Sequence, residues 1–298
     1  MWGLTERELA GATSSPSLID VLFAGEIAGI ASPAHAPDLR GYVERSLRGM
    51  FPSVALGASA GVRQRLLAAY VDQITLRDVV GLGDSRDPRL LRRYLSAIAA
   101  NTAGIPEHKA LYDAAGIDRR TAPVYDSLIE GLFLTEQLPA WSSNRLARLV
   151  RTSKRFLVDP AFAGPLVGVD VRSVLRSGDL QGRIIDTFVV AQLRPELEVC
   201  EPGVTMHHLR QEGGDHEIDL LLEAPDGRVV AIEVKSDSAP DRADAKHLIW
   251  IRDKLRDQFV CGVLFHTGRR PFKLDERVHA LPIASIWDNP GPPTPYAV

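Results

Sequence analysis

The sequence predicts an α/β protein whose N-terminal part is α-helical, and three observations carry that expectation. Over the first hundred residues the apolar positions recur at helical spacing, as in Leu18, Ile19, Val21, Leu22 and Phe23. Beyond residue 197 they fall mostly into short runs broken by Gly, Pro and Asp, the pattern of strands and turns. The most informative of these is HEIDLLLEAPDGRVVAIEVKS, residues 216–236, where two apolar runs flank Ala-Pro-Asp-Gly. Pro and Asp-Gly favour a tight reversal, so Ile218 to Glu223 and Arg228 to Ser236 read as an antiparallel β-hairpin.

Taken in order, residues 1–100 form a helical region. After the stripe at 18–23 comes the connection ASPAHAPD, then an amphipathic stretch from Leu39 to Leu47 and helices over Val62 to Val80 and Leu90 to Ala100. Asp87-Pro88 opens the last of these as a cap followed by Pro at the first helical position. Arg77 and Asp78 read as a charged pair on the preceding helix.

Residues 101–168 read as a winged helix. Pro106 to Ala115 makes one helix and Gly116-Ile117-Asp118 a turn. Thr121 then caps a second helix with Pro123 in its first turn and Val124, Leu128 and Leu132 facing inward. Leu132 to Trp141 and Arg155 to Val158 follow as strands around NRLARLVRTSK, which holds Arg145, Arg148, Arg151 and Lys154 and no acid. These residues, with Arg119 and Arg120 near the start of the second helix, are the candidate contacts to nucleic-acid phosphates. A purely architectural winged helix with solvated arginines accounts for the pattern equally well.

Residues 169–298 complete an α/β unit. Gly178 to Leu193 reads as a helix whose apolar face is interrupted by Asp186, followed by strands at Glu198 to Cys200 and Val204 to Arg210, the hairpin, a helix from Ala243 to Phe259, and strands in VCGVLFHTG and ALPIASIW. Alternation on a strand points Glu233 and Lys235 the same way, and the hairpin brings Asp219 alongside. Two carboxylates of this kind suit Mg2+ or Mn2+, and an amine beside them can orient a water or stabilise charge on a phosphate. The bland alternative is a solvated Glu-Lys pair at a strand end. Against it stands the composition of both strands, apolar on both faces, as in a sheet covered on both sides where charge is scarce. Adjacent His207 and His208 face opposite sides of a strand, and His216 sits in a Gly-rich turn, so all three read as non-ligands. Lys246 and His247 read as a solvated helix start.

Together RDVVGL (77–82), TAPVYDSLIEGLFLTEQLPAW (121–141), KRFLVDPAFAGPLVG (154–168), GRIIDTFVVAQL (182–193), EIDLLLE and IEVKS resemble the C-terminal part of bacterial and archaeal AAA-type ATPases carrying the domain of unknown function DUF4143. The Asp, hairpin, Glu-x-Lys pattern resembles the PD-(D/E)xK nuclease-like fold. The resemblance implies a restriction-endonuclease-like α/β domain following the winged helix. Its catalytic set would be Asp219, Glu233, Lys235 and Asp186, with Mg2+ or Mn2+ on Asp219 and Glu233. Asp186 stands where that pattern usually has a Glu, one methylene longer. No G-x-x-x-x-G-K-[ST] stretch occurs in these residues, so no ATP hydrolysis is expected, and MWGLTERELAG resembles the junction after the ATPase domain. Two functions follow: a metal-dependent phosphodiesterase acting on DNA or RNA, or a non-catalytic module binding DNA or a protein.

Bulk properties fit a cytoplasmic protein. The 298 residues are 45% hydrophobic and 24% charged, with a net charge of -3, which argues against a general polyanion binder but leaves room for a local basic face. No apolar run approaches the roughly 18 residues of a membrane-spanning helix, and Glu6, Arg7 and Glu8 do not make a leader. Cys200 and Cys261 read as small core residues.

Overall fold

Short polar side chains ahead of apolar runs set many of the helix starts in this computed structural model, which describes residues 2–57, 59–75, 87–120, 122–144, 148, 151–200, 203–211 and 215–288. Thr5 and Ser17 form capping boxes with Glu8 and Asp20, opening α1 (Glu6–Leu9) and α2 (Leu18–Phe23). There follow α3 (Leu39–Arg48), α4 (Pro52–Ala55) and α5 (Ala60–Gln73). The expected cap at Asp87 is present: its carboxylate accepts the Arg89 N–H at 2.9 Å and Pro88 begins α6 (Pro88–Ala100).

The next helix, α7 (His108–Ala115), ends on Gly116 at φ +70°, a left-handed residue that glycine adopts without steric cost. It is followed by α8 (Ala122–Gly131) and by an antiparallel ribbon of β1 (Thr135–Leu138) and β2 (Lys154–Leu157). Three more helices, α9 (Ala163–Val167), α10 (Val171–Arg176) and α11 (Gly178–Glu196), lead to the sheet. The sheet contains β3 (Thr205–Arg210), β4 (Glu217–Glu223), β5 (Val229–Val234), β6 (Phe259–His266), β7 (Phe272–Asp275) and β8 (Val278–Pro282), with α12 (Lys246–Leu255) between β5 and β6. The protein is therefore mixed α/β, helical toward the N-terminus.

The chain divides into two units. The first comprises residues 1–4, 43–138 and 153–191, and the second residues 5–42, 139–152 and 192–298. In the first, a buried polar network ties β2 to two helices. Tyr94 of α6 donates to Asp126 of α8 at 2.7 Å, and the Arg155 guanidinium grips both oxygens of the same carboxylate, the Nη2–Oδ2 contact measuring 2.9 Å. Burial, together with the hydrogen bond to Asp126, pushes the Tyr94 hydroxyl pKa far up. Asp159 is a second anchor: its two oxygens accept the N–H groups of Met50 at 2.7 Å and Ala161 at 2.9 Å.

In the second unit the sheet order is β3-β4-β5-β6-β8-β7. β3, β4 and β5 pair antiparallel, β5, β6 and β8 parallel, and β7 antiparallel on the edge. Leu221, Val229, Ala231 and Leu264 pack with Ala245, Leu248 and Ile251 beside and within α12. Toward the other face the Cys261 thiol donates to the Leu22 carbonyl at 3.9 Å, and Arg228 lies over the Phe23 ring and donates to its carbonyl at 2.9 Å. Coverage by α12 and α2 is the physical reason the central strands read as apolar on both faces.

Some expectations change. Glu198 to Cys200 is a series of turns unwinding α11, with the Cys200 N–H donating to Glu196 at 3.0 Å, because the chain leaves the helix without finding a strand partner. β7 carries Lys273 and Asp275 on exposed and half-buried positions, so its composition gave no apolar signal. ALPIASIW splits into β8 and a 3-10 turn over Ile283–Ile286. RDVVGL, Thr121 and Arg145 lie outside the described residues.

Replacing Asp159 by Ala removes the acceptor for two buried N–H groups. The expected loss in urea denaturation is about 2 kcal/mol or more, and Asp159→Asn, which keeps one acceptor oxygen, should lose less. Equal stability of all three proteins would show that Asp159 anchors nothing.

Candidate functional site

The reversal at Ala224–Gly227 fixes the site from a distance. Gly227 takes φ +85° and donates to the Ala224 carbonyl at 2.9 Å, and the register that follows pairs Leu220 with Ile232. That places Asp219 near the start of β4 and Glu233 at the end of β5. The Val234 N–H, free of any strand partner on that side, donates to Asp219 Oδ2 at 3.1 Å. Glu233 is two residues beyond Ala231 and pairs with Leu264, so it lies on the face covered by α12. It is buried to 4% exposure, whereas the Lys235 side chain is 39% exposed with its Nζ 3.7 Å from Glu233 Oε2. The hairpin thus sets Lys235 3.7 Å from Glu233 and ties Asp219 to the main-chain N–H of the residue between them.

The parallel strands β5 and β6 end together here, with the Lys235 N–H donating to the Phe265 carbonyl at 2.9 Å. The C-terminal ends of parallel strands are where open α/β sheets place their ligands. His266 terminates β6, almost wholly buried, its Nδ1 accepting the Gly268 N–H at 2.9 Å. Burial depresses its pKa to about 4, so the ring is neutral at pH 7.

Two residues read as inert from the sequence also come to this end of the sheet. His216 Nδ1 and His247 Nδ1 are 3.2 Å apart, one ring donating to the other, and His216 stacks on Trp250 at 4.0 Å between centroids and 11° between planes. Burial lowers the His247 pKa, helped by Lys246, His216 and Lys235 and opposed by Asp219, so His247 shares the field of the hairpin residues. The sequence signal was faint: His247 and Trp250 are three apart on α12, hence on one face, but nothing local links them to His216.

The remaining candidates are distributed. Asp186 is half-buried on α11 within the first unit, whereas Asp219, Glu233 and Lys235 belong to the second. Arg119 and Arg120 are exposed in the turn before α8, and Lys154 is buried on β2 near the Phe156 ring, all three in the first unit. Arg148 and Arg151 are in the second unit. Arg148 makes a two-pronged bond to Glu223 at 2.5 and 2.9 Å and lies over the Trp141 ring, and Arg151 is half-buried near the Arg210 carbonyl. Burial raises the Glu223 carboxyl, but the Arg148 hydrogen bonds outweigh it and hold the pKa below the usual range. His207 is buried with its pKa lowered, and His208 Nε2 is 3.1 Å from the Thr152 carbonyl.

Among the described residues no group of three or more His, Cys, Asp and Glu side chains is arranged to hold a metal ion. The carboxylates of Asp219 and Glu233 are two hard oxygen donors, which fits Mg2+, a cation that often takes one or two protein carboxylates and fills its shell with water and substrate phosphate. Among the described residues, no helix is long and apolar enough to cross a membrane.

Residues 39–173 match the family model of a domain of unknown function, DUF8612, and residues 181–286 match that of a domain of unknown function, DUF4143. The second match agrees with the resemblance read from EIDLLLE and IEVKS and contains Asp186, Asp219, Glu233 and Lys235. No curated protein matches the chain.

His266 makes the end of the sheet sensitive to acid. Its folded pKa lies below the ordinary 6.5, so the stability it contributes is present above pH 6.5 and is lost as the pH falls toward 4, up to about 3 kcal/mol. Melting curves of wild type and His266→Gln across pH 4–7 should diverge in this window, the variant falling less steeply. Parallel curves would show that the imidazole is not held neutral by burial.

Proposed function

We propose that the second unit carries a nuclease-like site of the PD-(D/E)xK type, acting as a metal-dependent phosphodiesterase on nucleic acid. The observation that carries this reading is the meeting of Asp219, Glu233 and Lys235 where β5 and β6 end, one carboxylate held by a main-chain N–H and the other buried. A carboxylate is seldom buried in an apolar sheet without a use for its charge. In this reading Asp219 and Glu233 hold Mg2+ or Mn2+, which when bound supplies Lewis acidity toward a phosphate oxygen and toward water. Lys235 lies 3.7 Å from Glu233, beyond hydrogen-bond range, and is partly exposed, so its ammonium is available to a scissile phosphate or the attacking water. Neutral His266 adds no positive charge that would compete for the carboxylates.

A second reading, a non-catalytic module binding DNA or a protein, is favoured by the first unit. There α7, α8 and the β1–β2 ribbon follow in the order of a winged helix, and the exposed Arg119 and Arg120 precede α8, where a groove-reading helix meets phosphates. Arg148, whose guanidinium is committed to Glu223, is less free for a phosphate and weighs toward a protein partner within this reading. The resemblance to AAA-type ATPases read from the sequence belongs to the same reading, in which this chain would serve as a binding part of a larger machine.

Millimolar Mn2+ should raise the melting temperature of wild type, because a ligand bound only by the folded state stabilises it by mass action, and Asp219→Ala should abolish the rise. Single- and double-stranded DNA and RNA incubated with Mg2+ or Mn2+ should be cut, and at least ~100-fold more slowly by Lys235→Ala, the scale of losing one positioned catalytic group. A melting curve indifferent to Mn2+, with all four substrates intact, would remove the catalytic reading and leave the binding module.

A further inference from the structure

Within the second unit, between the end of β3, α12 and residues 141–143 and 151, lies an open pocket of about 500 Å³ that the phosphodiesterase reading leaves unassigned. Trp250 lines it together with the largely buried Trp141 and Leu209, and Arg151, Arg210 and Lys254 bring three cations. No acidic side chain lines it among the described residues. Its volume lies within the range of small-molecule sites, which combine apolar and aromatic walls with a few polar groups that set orientation.

The chemistry of that lining is selective. Two indoles and a leucine alone would suit any apolar ligand, and three cations alone any anion. Together they ask for a planar ring joined to a negative charge. One face of the Trp250 ring is taken by His216, stacked at 4.0 Å, and the Lys254 ammonium sits over the ring 4.9 Å from its centroid. At Trp141 the neighbouring Arg148 is fixed over the ring at 5.5 Å by its bonds to Glu223. A ring braced on one face gives up little side-chain entropy when its other face is stacked, and base-aromatic stacking beside a basic groove is the usual means of holding a nucleic-acid strand without regard to sequence.

We infer that this pocket takes an unpaired nucleobase together with its phosphate, stacked on the face of Trp250 opposite His216, where the base replaces the Lys254 ammonium, which with Arg151 and Arg210 then faces the phosphates. The unpaired base comes from a single strand. A base inside a duplex is stacked on both sides and cannot reach the indole unless it is flipped out. The pocket adjoins the proposed chemistry through Trp250, whose stacking partner His216 bonds His247, the ring that shares the field of Asp219 and Lys235. The strand would therefore continue past the two histidines toward the carboxylates. Only this continuation rests on the phosphodiesterase reading, since the pocket itself needs neither metal nor catalysis.

The test is fluorescence anisotropy with a fluorescein-labelled ten-nucleotide thymidine strand in EDTA, which removes cleavage from the measurement. Wild type should bind this strand more tightly than an abasic strand of equal length and charge, and more tightly than the duplex. Trp250→Ala should weaken binding of the thymidine strand at least about fivefold and leave the abasic strand nearly unchanged, with Trp250→Phe retaining most of the affinity. Lys254→Ala and Arg210→Ala should weaken both strands alike and lower the salt dependence. Competition with AMP separates the sources of the base: weak competition assigns the pocket to a strand, and competition as strong as that of the strand itself assigns the same base-and-phosphate chemistry to a free nucleotide. Equal binding of the thymidine and abasic strands by wild type, a preference for duplex, or no binding at all would overturn the proposal, whatever Mn2+ does to the melting temperature.

Discussion

The hydrogen bond from the Val234 N–H to Asp219 is the contact on which the site depends. β4 and β5 pair through Leu220 and Ile232 and then separate, leaving Val234 on a strand end whose N–H needs an acceptor. Asp219 supplies it, at 3.1 Å. The bond closes the open end of the hairpin and at the same time fixes one carboxylate beside Glu233. Because the sheet is covered by α12 on one face and α2 on the other, polar groups are confined to its rims, and the end at which β5 and β6 terminate is the rim with a helix start beside it. The location of the proposed site follows from which surfaces are buried.

The two units are held by different means. The second relies on apolar layers, with Leu221, Ala231, Leu248 and Ile251 among the residues packed between sheet and helix. The first combines aromatic packing, such as Tyr70 stacked on Phe162 at 5.8 Å, with buried charge at Arg155, Asp126 and Asp159. Buried ion pairs add little net stability over an apolar replacement, but breaking one strands a charge, so this network favours one arrangement of α6, α8 and β2 over looser ones.

What could be read from the sequence was what depends on near neighbours. Pro225, Asp226 and Gly227 specify a reversal on their own, and strand alternation then sets Glu233 and Lys235 on one side, so the hairpin and its charges were legible. Asp87 and Pro88 announced α6 in the same way. The pairing of His216 with His247 and Trp250 was not legible, because 31 residues separate the two histidines and only the docking of α12 on the sheet joins them. The partner of Arg148 was not legible for the same reason. In sequence the arginine belongs to a basic run, but its partner Glu223 lies 75 residues on, and the ion pair sets its guanidinium over the Trp141 ring. The apolar stripe of α2 showed that it was buried but not against which sheet.

The central claim is that Glu233 and Lys235 are kept at the strand end for chemistry and not to balance each other. A double-mutant cycle read by urea denaturation, using wild type, Lys235→Ala, Glu233→Gln and the double variant, isolates their mutual contribution to stability. The pair is 3.7 Å apart with its lysine 39% exposed, so the account expects a coupling below about 1 kcal/mol, as for screened pairs. A coupling of about 3 kcal/mol or more, with Lys235→Ala strongly destabilised and rescued by Glu233→Gln, would mean that the lysine is there to neutralise a buried acid, and would contradict the account.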